Sequence, residues 1–276
     1  MFTPVQGVAA AAPVTGLVAA AVRPTIDRWE QGVAWIPERC GTRYRLVPWC
    51  DEPESGYEPN RPGAVHARPV GVQWAEECTT LSGEPDMERI RRSVEAHTPF
   101  VVARELWTGE GTQADPFTVD GAARTNPYLA SPDADVVGSG PLPATVALGL
   151  LEQAALEASG GQAVMLHVPV SVSWLVGEAL HRVGQQMVTS SGSVVVFDAG
   201  YPGTGPDGQP AGETVWAYAT SPVSVLMSAV RLVDSPAHTV DHVSNTRTVW
   251  AEREFLATFD PCVHLATEIA INTGES

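Results

Sequence analysis

The stretch VFDAGYPGTGPDGQPAG, residues 196–212, follows an apolar run and carries Gly200, Gly203, Gly205, Gly208 and Gly212. A glycine-rich turn after a strand is where nucleotide-binding folds cradle phosphate with backbone N–H groups. Here that chemistry lacks its parts. A P-loop needs a lysine, and all 16 basic residues are arginine. A dinucleotide fingerprint must open a helix, and Pro206, Pro210 and Gly212 block one. Asp198 and Asp207 would also repel a phosphate. The stretch therefore reads as a mobile surface loop.

Three other groupings have the residue types for chemistry. In HTVDH, His238 and His242 stand at i and i+4 with Asp241 between them. A zinc site of this kind needs a helix and a third ligand. Val240 and Val243 give such a helix little apolar face, so the segment reads as a solvated linker. Cys262 and His264 would share one face of a strand, as a thiol and its base require, but no orienting third group is legible. His167 lies in the apolar run AVMLHV and reads as a core histidine donating to a backbone carbonyl. The expectation is no catalytic residue, no metal and no cofactor. None of the four cysteines, Cys40, Cys50, Cys78 and Cys262, forms a C-x-x-C pair; Cys40 and Cys50 flank a short stretch and could be bridged across it, but are expected to be free.

The composition narrows the function classes further. The 276 residues suit one or two domains, and the 44% apolar content suffices for a core. The net charge of −16 argues against sequence-specific DNA reading, which needs a basic footprint. No apolar run reaches 18 residues without Pro, Gly or a charge, so no membrane span is expected. The eight Trp are scattered rather than interleaved with Arg, a pattern of packing and interfaces.

The elements that must carry these groups follow from periodicity and punctuation. Residues 1–30 are an Ala, Val, Pro and Gly-rich arm without helical period. Two extended stretches flank the polar tip DEPESGYEPNRPG, predicting a projecting hairpin over about 43–77, with Pro69 confined to an edge. Residues 86–107 predict a helix roughly 33 Å long, with Met87, Ile90, Val94, His97, Val101 and Glu105 on its stripe and Val102 and Leu106 widening it. Gly109 should end it, and Pro99 should kink or divide it. Residues 109–141 read as a loop-rich connection. A second helix opens at Pro143, with Val146, Ala147, Leu150, Leu151, Ala154 and Ala155 as its apolar positions, and closes at Gly160 and Gly161. A third is expected after Pro169, with Val172, Leu175, Val176, Ala179 and Val183 on its apolar face. Strands fill the rest, giving an α+β class.

The order of these segments resembles a known family. ARELWTG is followed by NPYLAS, then ALGLLEQAAL, MLHVPVSVSWLV, GSVVVFDAGYPGTGP, VWAYATSPVSVLMSAVRLV and AEREFLATFDPCVHLAT. Together they resemble a tailed-phage major capsid protein of the Hong Kong 97-type shell fold, in its actinobacteriophage version. The likeness covers most of the chain, most strongly about 86–268.

That resemblance implies an N-terminal arm at 1–30 and an extended loop at 31–84. It implies a peripheral domain with a spine helix at 85–137, an axial domain at 138–233 and strands returning to the peripheral domain at 234–276. It makes Gly200, Gly203, Gly205 and Gly208 candidates for the loop at the symmetry axis of a capsomer. It makes Arg43, Arg45, Arg61 and Arg68 on the hairpin, and Arg89, Arg91 and Arg92 on the helix, candidates for inter-subunit contact. The implied partners are copies of the chain itself in hexamers and pentamers, a portal, and a scaffold or cement protein. Packaged double-stranded DNA would be enclosed without sequence-specific binding. The implied location is the virion capsid, assembled in the bacterial host cytoplasm. Without Lys, no Lys–Asn isopeptide lock can form. The short arm implies that scaffolding is separate, absent or removed. Two readings compete: an encapsulin-like nanocompartment shell, and a minor or decoration protein of the virion.

Overall fold

The computed structural model describes residues 15–37, 63–79, 87–206, 208, 212–233, 240–241 and 246–271. A four-residue helix α1 (Leu17–Ala20) precedes β1 (Val33–Trp35), which pairs antiparallel with β2 (Val65–Ala67). Next come β3 (Val70–Thr79) and the long helix α2 (Met87–Thr108). Gly109, in the left-handed region at φ 61°, ends α2 as expected and leads into α3 (Glu110–Ala114). The supposed loop beyond it holds a hairpin, β4 (Phe117–Val119) and β5 (Ala122–Arg124). Its turn is Asp120–Gly121, both at positive φ, the pair a two-residue hairpin favours.

β6 (Asp135–Val136), β7 (Leu142–Pro143) and α4 (Ala144–Ala158) lead to β8 (Met165–Pro169). The third helix is largely absent. It is one turn, α5 (Ser173–Val176), between two 3-10 turns, and Val183 lies instead in β9 (His181–Val183), paired with β10 (Gln186–Val188). Val172 and Val176 bury as expected. The ladder bonds of an added edge strand and the flexibility of Gly177 outweigh a short helix's modest propensity. β11 (Val194–Asp198), β12 (Thr214–Thr220), β13 (Ser224–Met227), β14 (Arg231–Val233), β15 (Val240–Asp241), β16 (Thr246–Thr258) and β17 (His264–Ala270) complete the chain.

Two main sheets result. The larger runs β6–β17–β12–β8–β11–β10–β9, with β7 also on β17. β8 is buried at every position, as a strand covered on both faces must be. On one face Leu166, Val168, Ala217 and Ile269 pack against Ala147, Leu148 and Leu151 of α4. On the other, Met165, Tyr218 and Ala266 pack against Val102, Leu106 and Trp107 of α2. The smaller sheet is organised by β16, with β3 along one side and β13, β14 and β15 along the other. The boundary expected at 233/234 does not follow these sheets. β13 and β14 join β16, whereas β17 sits between β12 and β6 of the larger sheet.

Helix α2 spans both sheets, and this explains two departures. Its buried side chains are Ile90, Val94, Thr98, Val102 and Leu106, an i, i+4 row, together with Pro99, Ala103 and Trp107. His97 is exposed and stacks on Trp74, with ring centroids 5.3 Å apart. Pro99 does not divide the helix. The N-terminal half is held on Val249 and Ala251, and the C-terminal half on the larger sheet. Packing on both sides of Pro99 thus offsets the one lost helical hydrogen bond. On α4, Val146 and Leu150 are exposed, and Ala144 and Leu148 take their place in the core.

Candidate functional site

The glycine-rich stretch is two different things. Gly200, Gly203 and Gly205 are buried, whereas Gly208 is exposed. A Cβ on Gly200 would lie 2.5 Å from Phe100 O, and one on Gly205 would lie 2.6 Å from the Trp216 indole nitrogen. Thr204 is pinned as well: Trp107 Nε1 donates to its hydroxyl at 2.9 Å, and Tyr218 OH donates to its carbonyl at 3.0 Å. Residues 200–205 are therefore a packed strap over α2, which corrects the mobile-loop reading for that half. Glycine is required there by close approach of backbones.

Asp198 anchors the strap. Its Oδ1 accepts the Gly200 N–H and its Oδ2 the Leu17 N–H, both at 2.8 Å, so one carboxylate ties the start of α1 to the strap. Burial raises its pKa, and those two hydrogen bonds pull the other way. His167 lies beneath, fully buried. Its Nδ1 meets Tyr201 OH and its Nε2 meets Thr220 Oγ1, each at 2.9 Å. The Thr220 hydroxyl donates to Ser221 O at 2.6 Å, so it accepts from Nε2–H, and Nδ1 accepts from Tyr201. The expected backbone partner is thus replaced by two side-chain hydroxyls. Burial, with His264 nearby, lowers the His167 pKa to about 3. The ring is a neutral cross-tie sealed from solvent.

His264 makes the bond expected of His167, with Nε2 2.8 Å from Leu129 O. Cys262 is disulfide-bonded, which removes the nucleophile from the Cys262/His264 pairing. His238 and His242 lie outside the described residues, and Val240–Asp241 between them is a strand rather than a helix. Among the described residues, no cluster of His, Cys, Asp or Glu could hold a metal ion. No helix there is long and apolar enough to cross a membrane.

Of the arginine candidates, Arg43, Arg45 and Arg61 lie outside the described residues. Arg89 pairs with Glu76 across α2 and β3. Arg91 pairs with Glu88 at 3.4 Å along the helix. Arg92 is half-buried. Arg68 places its guanidinium 5.5 Å from the Phe117 ring centroid, and its backbone bonds both ends of the Asn126 amide. The four described arginines are scattered rather than gathered into one site.

Composition could not reveal the apolar surface. Trp174 is 90% exposed. An open groove of about 680 Å³ runs between β1 and the β13–β16 edge, with Leu226 and Leu256 at its base and exposed Val22, Ile26 and Ile36 along it.

No family model matches the chain, and no curated protein matches it. Solved structures do. A Gordonia phage Cozz chain aligns over 97% of this chain and 89% of its own, with a TM-score of 0.57 and 11% identity. The capsid of Ralstonia phage GP4 aligns over 100% and 96%, with a TM-score of 0.54 and 10% identity. The fold is one found in phage capsids. The capsid of an empty GTA particle extends the likeness, at a TM-score of 0.55 and 10% identity over 98% of this chain and 94% of its own. The α+β class and the capsid fold expected from segment order are therefore borne out.

Proposed function

We propose that this chain is a major capsid protein, which assembles through hexamers and pentamers into an icosahedral phage head around double-stranded DNA. The observation that carries this reading is the end-to-end likeness to the GP4 capsid, over 100% of this chain and 96% of that one. A subunit of this kind works by surface complementarity, not by turning over a substrate. Its contacts are spread over several neighbours, so modest interfaces add up by avidity.

The remaining parts of the reading follow from it. Residues 1–30 act as the arm, and 31–84 as the extended loop over a neighbour. The antiparallel pairing Trp35↔Val65 supports a loop that leaves and returns at one place. The turn about Gly208 lies at the capsomer axis, carried by the packed strap of 200–205. A portal and a scaffold or cement protein are the further partners, and assembly takes place in the host cytoplasm. A charge of −16 suits a wall that packaged DNA slides along without adhering. With no Lys for isopeptide locks, burial, interlaced loops and Arg–carboxylate pairs hold the shell.

Electron microscopy of the purified protein tests the reading. Closed shells with five- and sixfold capsomers are expected. A chain that stays monomeric under every condition, and is absent from the lattice of any particle, would refute it.

A further inference from the structure

We propose that the disulfide partner of Cys262 is Cys40, and that this bond is a redox-sensitive staple holding the base of the extended loop against the junction of the two main sheets. The role of the loop rests on the capsid reading, whereas the pairing does not. Cys262 is disulfide-bonded, and the other thiols of the chain are Cys40, Cys50 and Cys78. Cys262 sits in the turn between β16 and β17, by which the chain passes from the smaller sheet to the larger. That turn is held in place: the Asp260 N–H donates to Ser221 Oγ at 2.8 Å, and Val263 is fully buried. Cys262 itself is half-buried, so small thiols in solution have access to it.

Strand register removes Cys78. A disulfide needs Cα atoms within about 7 Å of each other. Cys78 pairs with Arg247 near the start of β16, whereas Cys262 lies beyond Thr258 at its end. The two ends of β16 are roughly 35 Å apart at the usual rise. The four residues from Thr258 to Cys262 recover at most about 14 Å of that.

The open end of the β1–β2 pair, by contrast, lies beside the turn. Trp35 and Ile36 line one groove with Phe259 and Asp260, and Ala64 and Val65 line another with Pro261 and His264. Trp35 and Val65 are the last pair in register, so the chain departs and re-enters here. Cys40 and Cys50 lie outside the described residues, and distance along the chain separates them. Cys40 is four residues past Ile36, a span of at most about 14 Å. Cys50 is 14 residues from both Ile36 and Ala64. At the usual length dependence, closing the shorter segment onto Cys262 is favoured roughly 6-fold.

In a reducing cytoplasm the pair stands as two thiols. Outside it, a disulfide oxidant such as oxidised glutathione takes up both electrons and both protons and becomes two reduced thiols, leaving the Cys40–Cys262 bond. A cross-link between residues so far apart in the chain removes unfolded-state entropy and fixes where the loop leaves the body.

Tryptic digestion of the non-reduced chain, after exposure to oxidised glutathione, tests the pairing by mass. Peptide 40–43 should appear joined to peptide 254–276. Peptide 46–89 carries both Cys50 and Cys78, because Pro62 and Pro69 block cleavage after Arg61 and Arg68, and it should be joined to neither. An adduct of 46–89 with either peptide, or no adduct at all, would overturn the pairing. Subunit melting reads the staple. Cys40→Ser and Cys262→Ser should each lower the melting temperature by roughly 4–16 °C relative to the oxidised wild type. The double variant should lose no more than either alone, and Cys50→Ser should leave melting unchanged. The differences should vanish under a phosphine reductant. Equal melting of Cys40→Ser and the wild type in oxidant would overturn the staple. If the 40–43/254–276 adduct forms in a chain that never assembles, the capsid reading falls and the pairing stands.

Discussion

Replacing Gly200 with Ala tests whether the strap is packed or free. An added Cβ would lie 2.5 Å from Phe100 O, 2.8 Å from Ala103 Cβ and 2.9 Å from Arg104 N. All three atoms belong to α2, and two are backbone, so no side chain can swing aside. Relief requires the strap to rise by roughly 0.5–1 Å, which is the scale at which overpacked cores lose about 1–3 kcal/mol. That movement also stretches the Gly200 N–H bond to Asp198 and the Trp107 bond to Thr204, both now within 2.9 Å. Weakening them adds up to about 1 kcal/mol. A total of about 1–4 kcal/mol lowers the melting temperature of a chain of this size by roughly 2–16 °C. Gly212→Ala is the control. That glycine is exposed, and its Cβ would meet open space. Its effect should stay within about 0.5 kcal/mol. Thermal melts of the unassembled subunits, followed by tryptophan fluorescence, read both. If Gly200→Ala melts within a degree of Gly212→Ala, the strap is a loose surface loop and the packing argument is wrong.

Acid should destabilise the subunit through His167. Its folded pKa of about 3 lies below the ordinary 6.5, so between those values the folded state binds fewer protons than the unfolded one. Stability is then full above pH 6.5 and falls by about 1.4 kcal/mol per unit as pH drops towards 3. His264, also lowered by burial, acts in the same direction, whereas the raised pKa of Asp198 acts against it. Urea titrations from pH 7 to 4 should show a shallower slope for His167→Gln, and equal slopes would refute the assignment. Deleting 51–63 should impair assembly while leaving the subunit's melting temperature within a few degrees. Normal particles from that deletion would refute the extended-loop role.

The comparison of expectation with structure is clearest along α2. Its span and its Gly109 stop were legible because caps and periodicity are local. Which row of side chains faces inward was not. The rows through His97, Val101 and Glu105 and through Thr98, Val102 and Leu106 are neighbours on one helix, and two sheets chose between them. The Asp120–Gly121 hairpin was a local signal that loop composition masked. The breaking of the third helix had no such signal, because β9 gains its ladder from β10 only once the sheet exists.

The sequence by itself determined what residue types make impossible: with no Lys there is no P-loop and no isopeptide lock. It also determined the order of segments, because glycines, prolines and apolar runs act on their own neighbours. The tertiary structure alone decided that β17 joins the larger sheet and that residues 200–205 close down on α2. It alone left Trp174 in water. Each of these depends on contacts between residues far apart in the chain, whose meeting no local pattern encodes.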